Sequence, residues 1–268
     1  MPDPFSPSAE FYEKAYSTFI HARWKGSPIK LEPLDYDLFR SQQKQPFRGL
    51  KHHHFRQNVD DLARELVNEI NKLWRTLLDL GVWSDVISNY ASEERFHLHH
   101  EFLDEKCESA LIKPYTIKNR FIHSASTIAF LVDGVFRQRA FPEEHKVNFK
   151  DMEKWVGTWP GFAEFSNSLA NLNDKTFVKK TADFRHRSQH RIPPMIGEGL
   201  VPGLRVQQTG SKFSFSLATL SPLALEDVLI LGTQQYQRAT ETMRTFWNMM
   251  QQADGRWKVT LNLPAKKL

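Results

Sequence analysis

The chain has 268 residues, 40% hydrophobic and 25% charged, which is enough to bury a sizeable core and too apolar for a disordered protein. Its one cysteine, Cys107, excludes an internal disulfide, and no run approaches the roughly 18 apolar residues of a membrane span. The net charge of +5 and pI near 9.2 suit a polyanionic partner. The start from Met1 to Glu10 lacks the basic and apolar regions of a secretory signal, so a cytoplasmic protein is expected.

Residues 1–57 are expected to form an irregular arm, because prolines recur at positions 2, 4, 7, 28, 33 and 46. Within it, Phe11, Ala15, Phe19 and Ala22 predict a short helix over Ala9–Arg23. A 3–4 spacing from Val59 to Leu78 predicts a helix over Val59–Leu80, with Gly81 as its stop. A second body helix is expected from Trp83 to about Leu111, ending before Pro114, and a third from Tyr115 to about Arg137. Residues 141–173 read as a loop with short turns. A further helix is expected from Asn173 or Asp174 to Arg191, stopped by Pro193 and Pro194.

Beyond it the period changes to two. Leu204 and Val206, then Phe213, Phe215 and Leu217, flank Thr209-Gly210-Ser211, the pattern of a small β-hairpin at about 204–220. Ser221-Pro222 then opens a long last helix. After Gly255, alternating Trp257, Val259, Leu261 and Leu263 predict a terminal strand within 256–268. The expectation is a mainly α protein: a helical bundle over 58–255 with a hairpin before its last long helix.

The strongest candidate for chemistry is the basic segment Asp183-Phe184-Arg185-His186-Arg187-Ser188-Gln189-His190-Arg191. On a helix His186 and His190 share one face, and Arg185 and Gln189 the adjacent one. A histidine near a helix end stays close to the range where it gives and takes protons, and arginine offers a planar, permanent cation to a phosphate.

The pattern Arg185-His186-x-x-x-His190 resembles the signature of the HEPN family (higher eukaryotes and prokaryotes nucleotide-binding). That signature is an arginine, then usually Asn, Asp or His, and a histidine after four to six intervening residues. Arginine followed by histidine at such spacing also occurs at Arg48–His53, Arg95–His100 and Arg139–His145. Only Arg185 carries Asn, Asp or His directly after it. The resemblance covers roughly residues 58–255 and implies a helical bundle with the motif near the end of a late helix.

It further implies a homodimer that cleaves RNA without a metal or other cofactor. His190 would be the base or acid, Arg185 would hold the phosphate, and His186 would orient the group or the RNA. Arg187, Gln189 and Arg191 would bind substrate. Many relatives act as toxins or in phage defence, which implies an antitoxin or other protein partner. His186 stands where asparagine is more usual.

Two other readings use different residues or chemistry. One is a non-catalytic HEPN-like dimer that binds a nucleotide or a partner. The other is a metal-binding bundle built on Glu94, His97 and Glu101, which lacks the second Glu-x-x-His such sites use. His52-His53-His54 reads as a surface turn. Cys107, beside Glu105 and Glu108, is poorly placed to become a thiolate. Phosphate-binding glycine loops and nucleophile elbows are absent from the sequence.

Overall fold

Ser8 accepts the Phe11 N–H at 3.3 Å and caps the first helix, α1 (Ala9–Lys25). Glu10 lies in its first turn and Arg23 and Lys25 in its last, each favourable to the helix dipole. The computed structural model describes residues 7–36, 50–131, 147–190, 195–197, 201–209, 212–220 and 222–260. At 50–51, 190, 201–209, 212–220 and 255–260 it describes backbone alone.

The described residues are mainly helical. Helix α2 (Leu50–Ile87) begins inside the expected arm and runs through Gly81. Its buried stripe of Leu66, Ile70, Leu73, Leu77, Leu80 and Trp83 keeps phase across the glycine. Gly81 instead permits close approach. A Cβ there would lie 2.8 Å from Ile29 Cγ1.

Trp83 therefore belongs to α2. The expected second and third helices become α3 (Ser92–Phe102) and α4 (Asp104–Ala129), the latter with Pro114 inside it. An interior proline removes one ladder bond and costs about 3 kcal/mol. Burial of Leu103, Cys107, Ala110 and Leu111 before it and Ile117 and Phe121 after it, on one continuing stripe, offsets that cost. The end of the expected third helix, beyond residue 131, lies outside the described residues.

The expected loop at 141–173 holds two helices, α5 (Phe149–Val156) and α6 (Phe162–Asn171). Next come α7 (Lys175–Lys180) and α8 (Phe184–His190). Strands β1 (Val201–Thr209) and β2 (Lys212–Leu220) pair antiparallel, with Leu204 opposite Leu217 and Val206 opposite Phe215. The last helix, α9 (Leu225–Thr260), continues through Gly255. Trp257 and Val259 are thus helical where a strand was expected. Leu261 and Leu263 lie outside the described residues.

The chain divides into two compact units. One comprises Met1–Leu31, Trp74–Ile112 and Lys175–Thr233; the other comprises Glu32–Leu73, Lys113–Asp174 and Gln234–Leu268. In the first, Phe19 stacks on Trp83 at 4.5 Å and Trp83 on Phe102 at 4.6 Å, each ring pair worth about 1 kcal/mol beyond its buried area. In the second, Phe121, Phe165 and Phe246 meet at centroid distances of 5.6 to 6.1 Å. There too Asn71 accepts the Leu34 N–H at 2.8 Å and donates to the Leu34 carbonyl at 3.0 Å, fixing the incoming segment on α2. No helix among the described residues is long and apolar enough to cross a membrane.

Candidate functional site

The expected single helix over 173–191 is broken in two. After α7, Ala182 and Asp183 take left-handed φ values of 51° and 54°, and the Asp183 N–H donates back to the Val178 carbonyl at 2.8 Å. The buried Thr181 hydroxyl donates to the Phe177 carbonyl at 3.0 Å. Aspartate tolerates this backbone, whereas alanine pays about 1 kcal/mol for it. Buried Phe177 and Phe184 anchor the helices on either side.

Helix α8 carries the motif. Arg185 is half-buried with its Nε enclosed, His186 and Gln189 are exposed, and Arg187 and Ser188 are half-buried. His190 is the last residue of α8, and its side chain is outside the description. Arg191, Pro193 and Pro194 lie outside the described residues. One helical turn places Arg185 beside Ser188 and Gln189. Ser188 Oγ donates to Glu108 Oε1 at 2.5 Å, so a carboxylate of α4 stands at this helix. Exposed Lys179 and Lys180, at the end of α7, add positive charge to the same stretch of chain. The surroundings can attract and orient an anion.

Of the rival residues, Glu94 has another role. Glu94 accepts the Ala91 N–H at 3.0 Å and so caps α3. Among the described residues, no group of three His, Cys, Asp or Glu side chains could hold a metal ion. The neighbouring His99 and His100 place their Nδ1 atoms 2.9 Å from the two oxygens of Asp104, and His99 is buried. The expected turn at His52-His53-His54 is instead the first part of α2. His52 is buried with Nε2 2.6 Å from Asp254 Oδ1, and Arg56 Nε lies 3.5 Å from the same oxygen. Burial, with Asp104 nearby, pushes the Cys107 thiol up to about 12, which leaves it protonated and unreactive.

Sequence reasoning missed a cationic knot in the second unit. Glu69, buried on α2, takes Lys72 Nζ at 2.7 Å, Lys113 Nζ at 2.9 Å and Arg120 NH2 at 3.7 Å. Burial raises its pKa, but hydrogen bonds from Lys72 and Lys113 and the charges of Lys113 and Arg120 outweigh it and hold the carboxyl below the usual range. Only the Glu69–Lys72 spacing was a readable signal.

Compared with known proteins, the chain matches no family model, no curated protein and no solved structure.

Proposed function

We propose that this protein is a HEPN-like, metal-independent endoribonuclease that acts as a homodimer. The observation that carries the reading is the gathering of Arg185, His186 and His190 on one short helix that precedes the last long helix, the order the family resemblance implies. The basic charge of the chain and the lysines ending α7 support a polyanionic substrate.

RNA carries its own nucleophile. The 2′-hydroxyl attacks the adjacent phosphorus, the bond from O2′ to phosphorus forms, and the bond from phosphorus to O5′ breaks. One histidine takes the 2′ proton and another protonates O5′ as it leaves. His190 of each copy would supply these two roles across the dimer, which is why one copy alone would be incomplete. Arg185 would stabilise the crowded, doubly charged phosphate, and His186 would orient it. Arg187, Gln189 and Arg191 would hold the flanking strand.

The products identify this chemistry. Purified protein should leave 2′,3′-cyclic phosphate and 5′-hydroxyl ends and sediment at twice its 31.3 kDa mass. Products bearing 5′-phosphate and 3′-hydroxyl ends would overturn the mechanism, and an active monomer would overturn the paired histidines.

A further inference from the structure

Within the second unit, α6 and α9 border an open groove of about 280 Å³ lined by Ser168, Asn171, Gln234, Gln237, Arg238 and Glu241. The four α9 residues recur at 3–4 spacing and so form one stripe, and Ser168 and Asn171 face them from successive turns of α6. Ser168 is buried, bonded to the Phe165 carbonyl at 2.9 Å and to Thr245 Oγ1 at 2.6 Å.

The charged residues of the stripe are held in place. Arg238 NH1 donates to the Asn171 carbonyl at 2.8 Å and lies 3.1 Å from Asp174 Oδ1. Glu241 accepts from Arg244 Nε at 2.9 Å and NH2 at 2.5 Å, which holds its carboxyl below the usual range. Arg238 uses only one guanidinium nitrogen in these contacts and keeps donors for a ligand. Both Glu241 oxygens, by contrast, are taken end-on by the exposed Arg244, which a ligand fork must displace. The side-chain amides of Asn171, Gln234 and Gln237 make no hydrogen bond among the described residues. The groove thus offers a fixed cation and a fixed anion about 5–6 Å apart at their Cβ atoms, with adaptable amides around them.

Guanine matches this order of charges. It presents acceptors O6 and N7 on one side, the usual partners of arginine, and donors N1–H and the 2-amino group on the other. Adenine and cytosine carry a ring-nitrogen acceptor where guanine has N1–H, and an ionised carboxylate cannot donate to it. We propose that this groove binds a guanine base, with Arg238 donating to O6 and N7 and Glu241 exchanging the Arg244 fork for N1–H and the 2-amino group. The assignment does not rest on the reading of α8.

The test is calorimetric titration of the full chain with the 5′-monophosphates of guanosine, inosine, adenosine, cytidine and uridine. Guanosine monophosphate should bind at least about tenfold more tightly than the adenosine, cytidine and uridine forms, the scale of one good base contact. Inosine monophosphate, which lacks the 2-amino group, should bind several-fold more weakly than guanosine monophosphate. Glu241→Gln should abolish the preference, Gln237→Ala should weaken it, and Arg185→Ala should leave it intact. A 2′-deoxy oligonucleotide with one guanine, set against the same strand with adenine, distinguishes a base read within a strand from a free nucleotide. Tighter binding of that strand than of the mononucleotide assigns the groove to strand reading, and the reverse assigns it to the free nucleotide. Equal binding of all the nucleotides, no binding of any, or a preference that survives both groove substitutions would overturn the proposal.

Discussion

Lys72, Lys113 and Arg120 surround a single carboxylate whose side chain is 5% exposed, whereas the basic residues of α8 follow one another along a seven-residue helix. On α8 the carboxylate of Glu108 is bonded by the uncharged Ser188, and Arg187 makes no ion pair among the described residues. Similar residue types therefore do different work. At Glu69 the positive charge compensates a buried anion and secures α2 against α4. At α8 it stands on a half-exposed helix, where the proposed phosphate contact would draw on it.

The comparison breaks most severely if the knot is not structural. Glu69→Gln leaves three cations around a neutral group and should destabilise the protein by about 3 kcal/mol, read as a lower denaturation midpoint at unchanged slope. A loss under about 0.5 kcal/mol would place Glu69 among ordinary surface pairs.

Acid should sharpen the same point. Glu69 has a folded pKa below the ordinary 4.5, so its contribution is full above that value and is lost as pH falls through the folded one. The stability excess of wild type over Glu69→Gln should shrink in that direction. An excess that grows on acidification would contradict the assignment.

Smaller effects belong to α8. Ser188→Ala removes the bond to Glu108 and should cost about 1 kcal/mol by chemical denaturation. Arg187→Ala should change stability by less than about 0.5 kcal/mol. It should, however, lower the salt dependence of single-stranded RNA binding by about 0.7 in the log–log slope. Lys113→Ala should leave that slope unchanged. A reversal of these last two would erase the distinction between the neighbourhoods.

The apolar stripes of the long helices were legible because burial repeats every turn. Their ends were not. Gly81, Pro114 and Gly255 resemble stops by their local chemistry, yet Gly81 and Pro114 lie where the stripe keeps phase and packing outweighs propensity. The break at Ala182 and Asp183 was hidden for the opposite reason. Phe177 and Phe184 are seven residues apart, so an unbroken helix would bury both just as the broken one does. Trp257 and Val259 alternate with polar residues over too short a run to decide between strand and helix.

The candidate site was legible as a local motif, because Arg185, His186, Arg187, Gln189 and His190 lie within one helix. Its contact with Glu108 was not, since Ser188 and Glu108 are 80 positions apart. The same limit hid Glu69 with Lys113 at 44 positions and His52 with Asp254 at 202. Residue spacing within one element is written in the sequence, but the pairing of distant elements follows from the whole fold.

The most direct test of the central claim is cleavage of single-stranded RNA by the purified protein in a metal chelator, beside Arg185→Ala and His190→Ala variants of matched fold and oligomeric state. Cleavage should persist in the chelator and fall at least about a hundredfold in each variant, the usual scale for losing a general acid–base or a charge-stabilising group. Cleavage that needs a divalent metal, activity unchanged in both variants, or no cleavage across a broad RNA panel would contradict the account.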